Sequence, residues 1–141
     1  GGVTDVCKRV CEYLRATGAV VRGGLRGGNV SRFLGRYGRG LYGAFVEAVR
    51  GVKVTPMSGG FLFMYDTNAY VEAVRELGLP LSAVELLRPL SSVFKVFCVD
   101  RGSVVDIARA LVADGQFASV DPNDVVRCRT DYGTDLRVSY P

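Results

Sequence analysis

Val52-Lys53-Val54-Thr55-Pro56-Met57-Ser58-Gly59-Gly60-Phe61-Leu62-Phe63-Met64-Tyr65 is the stretch on which the fold turns. Val52 to Met57 reads as a strand, and Ser58-Gly59-Gly60 as a tight turn. Phe61 to Tyr65 then reads as the returning strand of a hairpin. Upstream, Gly51 ends a helix over Leu41–Arg50, with Leu41, Phe45, Ala48 and Val49 on one side. Gly38-Arg39-Gly40 breaks the chain before it. An earlier helix, capped by Asn29, carries Val30, Phe33, Leu34 and Tyr37. Arg22-Gly23-Gly24-Leu25-Arg26-Gly27-Gly28 reads as a loop, and Ala19-Val20-Val21 as one small strand. The first helix spans about Thr4 to Ala16, with Thr4 as its N-cap and Gly18 as its stop. Val6, Val10 and Leu14 recur along it every four residues, with Cys7 and Cys11 beside them.

Residues 3–65 thus run helix, strand, helix, helix, hairpin. That order resembles a winged-helix domain. The junction Phe33-Leu34-Gly35-Arg36-Tyr37-Gly38, followed by Leu41-Tyr42-Gly43-Ala44-Phe45, is similar to the aromatic-glycine junction of the LOTUS subgroup. The Arg22–Gly28 loop departs from that subgroup in its glycine content. The resemblance implies a nucleic-acid-binding or protein-docking module, since some relatives dock on RNA helicases.

Residues 66–141 are expected to form an α+β extension. Asp66 or Thr67 caps a helix through Leu77, which Gly78 and Pro80 end. Ser82-Ala83-Val84-Glu85 is a capping box for a short helix closed by Pro89. Val93–Val99 reads as a buried strand. Ser103-Val104-Val105-Asp106 opens a further helix that Gly115 stops. Gln116–Val120, Val125–Thr130 and Asp135–Tyr140 read as strands, with a turn at Asp121-Pro122-Asn123-Asp124. Gly102-Ser103-Val104 echoes Gly28-Asn29-Val30. The second half is therefore either a second, degenerate winged helix or a segment completing the first core.

Charge divides the same way. Residues 1–65 hold ten Lys/Arg against three Asp/Glu, and residues 66–141 hold eight against eleven. A basic half suggests a polyanionic partner. Fifteen of the eighteen cations are arginine, whose planar fork grips phosphate and stacks on bases. No apolar run is long enough to span a bilayer. The opening residues carry Asp5, Lys8 and Arg9, so no signal peptide is read there. The chain reads as a piece cut from a longer protein, with Gly1-Gly2 as a scar. Cys7, Cys11, Cys98 and Cys128 form no secreted disulfide pattern and contain no CxxC pair, so they read as small buried hydrophobes in a reducing, intracellular compartment.

Catalysis is not expected. The chain has no histidine, and no Ser or Cys has a recognisable activating partner. Gly38-Arg39-Gly40-Leu41-Tyr42-Gly43 spells GxGxxG but follows a helix, so it is no dinucleotide site. No cofactor or metal is called for. The expected surface comprises Arg22, Arg26, Arg32, Arg36, Tyr37, Arg39, Tyr42, Arg50 and Lys53. Its arginines would hold phosphates, and its tyrosines would stack on bases. RNA is favoured over DNA, because the helix Leu41–Arg50 offers little to read base edges. The alternative is a protein-interaction module inside a larger RNA-processing or transcription assembly.

Overall fold

The computed structural model describes residues 3–78, 85, 89–117 and 120–140, with the side chains of residues 31, 45, 48 and 49 outside the description. Three long helices open the chain: α1 (Asp5–Gly24), α2 (Gly28–Gly51) and α3 (Ser58–Glu76). Shorter elements follow. A helical stretch at residues 89–93 tightens into a 3-10 turn at Phe94–Phe97. Then come α4 (Val104–Ala113) and α5 (Pro122–Val126). No strand forms among the described residues. The one β-type pairing is an isolated parallel bridge between Val54 and Arg129.

The α+β winged-helix expectation is therefore corrected, and with it the hairpin, both strand sets and the second winged helix. Ser58-Gly59-Gly60 is the first turn of α3, not a hairpin turn. The reason lies in the spacing that follows. Gly60, Phe63, Thr67, Tyr70, Val74 and Leu77 recur every three or four residues and are buried or half-buried along one face. That helical period absorbs the expected return strand and the expected cap at Asp66. The 65/66 boundary in charge falls inside α3 without interruption.

Glycine misplaced the helix ends as well. α1 continues through Gly18 and through the expected strand Ala19–Val21. Gly18 is buried there because a Cβ would stand 2.6 Å from Leu77 Cδ2, so its smallness serves packing. α2 likewise runs straight through Gly38-Arg39-Gly40. The expected strand Val93–Val99 is helical and 3-10 instead, with Val93, Phe94, Val96 and Phe97 all buried. Val125 and Val126 belong to α5, whose Asp121 caps the Asn123 amide at 2.8 Å. Asp135–Tyr140 forms no strand, but Asn123 imitates a ladder: its side chain accepts from Val138 N and donates to Val138 O. The capping box at Ser82–Glu85, the core face at Phe45, Ala48 and Val49, and part of Gln116–Val120 lie outside the described residues.

α1 and α3 lie side by side and run the same way. Thr4 meets Asp66, Arg15 meets Glu76, and Arg22 meets Leu77. Cys7, Cys11, Leu14, Gly18 and Val21 form the buried seam of α1, spaced four, three, four and three. In sequence α2 separates the two, so the aligned helices are not a local hairpin.

The second half is built on an aromatic knot. Phe63 of α3 meets Phe94 and Phe97 edge-on, at centroid distances of 4.9 and 5.3 Å. Arg129, 1 % exposed, locks the knot from below. Its Nη1 donates to the carbonyls of Val96 and Val99, and its Nε and Nη2 grip Asp131 bidentately. Every donor group of that guanidinium is thus engaged, as its burial demands.

Candidate functional site

Arg32, Arg36 and Arg39 recur at i, i+4 and i+7 on α2, which sets them within one arc of the helix. All three are exposed, as is Arg26 in the loop just before α2. None of the four makes an ion pair or hydrogen bond among the described residues. Phe33 and Tyr37 stack beside the ridge, 6.0 Å apart and 13° from coplanar. Tyr37 and Tyr42 are half-buried against the core.

The other expected members are placed elsewhere. Arg22 donates to the carbonyls of Glu76 and Leu77, at 3.0 and 3.2 Å. It caps the C-terminus of α3, where carbonyls lack helical partners and a cation is favoured. Arg50 pairs with Glu47 at 2.8 Å and approaches Asp124 at 3.6 Å. Lys53 donates to Arg127 O, at the end of α5. On a helix rising about 1.5 Å per residue, Arg50 is also roughly 27 Å from Arg32. The nine residues do not converge. Four arginines share one region, and the tyrosines lie half under it.

A surface that the sequence reading passed over lies on α1. Val6, Val10, Tyr13 and Val20 are exposed, with Thr17 between the last two. Their spacing is again four, three, four and three, one residue out of step with the buried seam. The helix thus carries two neighbouring stripes, one spent on α3 and one facing outward. Val6 and Val10 were expected inside with Leu14. The signal was present, because Cys7 and Cys11 offer an equally periodic inner face.

Desolvation by burial pushes the Cys7 thiol from 9.0 to about 12, and also raises Cys98 and Cys128. Such thiols are poor nucleophiles. Cys7 and Cys11 share a thiol–thiol hydrogen bond at 4.0 Å and are not joined in a disulfide. A crevice among Val46, Arg50, Leu90, Val93 and Asp124 encloses about 10 Å³, space for one water. A more open hollow of about 470 Å³, at Arg109, Val112, Ala113, Ser139 and Tyr140, is lined by no carboxylate. No helix among the described residues is long and apolar enough to cross a membrane.

Residues 2–138 match the family model for exocyst complex component Sec10-like, alpha-helical bundle. No curated protein matches the sequence. The family match overturns the winged-helix and LOTUS resemblance, and with it the reading as an RNA- or DNA-binding module. The geometry explains why that reading fails. No hairpin wing forms among the described residues, and Arg50 and Lys53, expected on that surface, are tied to the end of α5 or to their own helix.

Proposed function

Because the chain belongs to the Sec10-like, alpha-helical bundle family of exocyst complex components, we propose that it is a non-catalytic assembly module, holding helices of other subunits within a multi-subunit protein complex. The observation that carries this reading is the outward stripe of α1. Val6, Val10, Tyr13, the half-buried Thr17 and Val20 repeat the spacing by which the same helix already packs on α3. Alternating steps of three and four are the spacing with which one helix seats another. The occupant is a helix of a partner subunit with an apolar seam of matching period. Ala16, also exposed, stands three residues from Tyr13 and four from Val20 and leaves room for close approach along the second half of the stripe. The absence of histidine and the raised thiols support a role without catalysis. The four free cysteines support a reducing, intracellular setting.

The test is purification of the tagged chain from its own cells, followed by identification of every subunit present in stoichiometric amount. A defined set of helical subunits should accompany the wild type. Val10→Asp and Val20→Asp should lose members of that set while keeping the wild-type helical signal and melting temperature. A chain that purifies alone, or stripe variants that retain the full set, would overturn the reading.

A further inference from the structure

We infer that the arginine ridge of α2 seats an acidic helix of a protein partner. This rests on the assembly reading above and names the chemistry of a second contact within it.

The ridge gathers unsatisfied cations on one helix among the described residues. From Tyr13 to Val46 the chain contains no acidic residue and six arginines. Arg15 is spent on Glu76 and Arg22 on the end of α3. Arg26, Arg32, Arg36 and Arg39 remain. Elsewhere Arg50, Arg75, Arg101, Arg127 and Arg129 all pair with carboxylates of the chain itself. Among the described residues Arg9, Lys95, Arg109 and Arg137 are unpaired too, but each stands on a different element, whereas Arg32, Arg36 and Arg39 share one face of α2. Glu47, already paired with Arg50, closes it at one end.

The shape continues the charge. Arg32, Arg36 and Arg39 span about 10 Å of helix, two turns. The same face runs on through Gly40, Gly43 and Ala44, all exposed. A Cβ at Gly40 or Gly43 would meet nothing within 4 Å. A partner helix can thus approach the backbone while its carboxylates reach the arginines. The guanidinium fork suits this, since it binds a carboxylate through two parallel hydrogen bonds. The fitting occupant carries Asp or Glu at i, i+4 and i+7 with small residues between.

A membrane fits less well. A helix that lies in a bilayer surface exposes a broad apolar face. α2 turns Val30, Leu34, Tyr37, Leu41 and Tyr42 toward the core and leaves Phe33 as its exposed large apolar side chain among those described. Four arginines without such a face give weak attraction that salt screens.

The probe is a synthetic helical peptide with Glu at i, i+4 and i+7 over alanine, compared with its Gln counterpart. Each is titrated into the whole chain and followed by fluorescence anisotropy at low and physiological salt. The Glu peptide should bind and the Gln peptide should not. The triple variant Arg32→Glu, Arg36→Glu, Arg39→Glu should weaken binding about tenfold or more. A Lys-bearing peptide should bind that variant instead, a swap that a merely unfolded variant cannot produce. Equal binding of the Glu and Gln peptides, or binding that survives charge reversal, would sink the inference. So would phosphatidylserine vesicles that bind the wild type when the Glu peptide does not, or self-association that charge reversal removes. The assembly reading is judged separately. Val10→Asp should leave Glu-peptide binding unchanged, so loss of the ridge result leaves the α1 stripe standing.

Discussion

Asp66 accepts hydrogen bonds from both the backbone amide and the hydroxyl of Thr4, at 2.9 and 2.6 Å, across 62 residues of sequence. The Thr4 hydroxyl in turn accepts from the amide of Cys7 at 3.2 Å. The first turn of α1 is therefore capped by its own N-cap, which α3 holds in place. Asp66→Ala should cost about 1–2 kcal/mol, the usual worth of an N-cap, and Thr4→Ala a similar amount. The double variant should cost less than the two together, because both act through one relay. Urea denaturation gives the energies. Hydrogen exchange should show the loss concentrated in the first turn of α1.

Glycine substitutions should separate sharply by position. A Cβ on Gly60 would run into the carbonyl of Phe97, a backbone atom that cannot swing aside. Gly60→Ala should therefore destabilise by about 2–3 kcal/mol, as overpacking of a core does. Gly40 and Gly43 face open space in the middle of α2. Alanine at either should stabilise by roughly 0.5–1 kcal/mol, the helix-propensity difference. Thermal melts of the three variants check the ranking, and a tolerated Gly60→Ala would count against the placement of Phe97.

These glycines also explain which parts of the fold were legible. The helix at Val104–Ala113, the N-cap at Thr4 and the turn at Gly115 follow from local signals and are found there. Gly18, Gly38 and Gly59-Gly60 carry the same local signal as a true stop, yet they lie inside helices. Their role is set by what passes close to them: Leu77 beside Gly18, and Phe97 over Gly60. Those neighbours are dozens of residues away, so no local reading reaches them. Part of the arginine ridge was visible, because spacing alone puts Arg32 and Arg36 on one face, and Arg39 joins them because α2 runs through the expected break at Gly38-Arg39-Gly40. That Arg22 and Lys53 are occupied was not, because their partners at Leu77 and Arg127 come from tertiary packing, while the Arg50 pair with Glu47 is local and was passed over.

Arg129 should be the least replaceable charged residue. Removing it strands the carbonyls of Val96 and Val99 and leaves Asp131 without its fork. Arg129→Met should cost about 3–5 kcal/mol. Arg129→Lys should recover little, since an ammonium cannot serve four acceptors in that planar arrangement. The Arg129 hydrogen bonds also hold the Asp131 carboxyl below its ordinary 3.8. A lowered folded value means the contribution is present above about pH 4 and lost as pH falls through it. Urea midpoints of wild type and Arg129→Met should therefore converge as the solution is acidified below pH 4.

Cys7 should act in the opposite direction. Its folded thiol keeps the proton up to about 12, against 9.0 for an ordinary one, mainly because burial disfavours the thiolate. The unfolded chain thus releases that proton first. The contribution is complete below pH 9 and drains away as pH rises from 9 toward 12. Cys7→Ala should flatten this part of the alkaline stability curve. A thiol reagent at pH 8 should modify Cys7 only as fast as the protein opens, so that its rate follows denaturant.

The parallel course of α1 and α3 has a consequence for how the protein is made. On the ribosome, α1 emerges some fifty residues before the helix that covers its inner seam. Until α3 arrives, both of its apolar stripes are bare, and the glycine-rich α2 supplies little helix of its own in the meantime. Closing so long a loop is slow compared with pairing neighbouring helices. For that interval the nascent chain presents a two-sided apolar helix, the kind of segment that general chaperones hold. Completion of α3 covers one side and leaves the other, Val6, Val10, Tyr13 and Val20, facing outward.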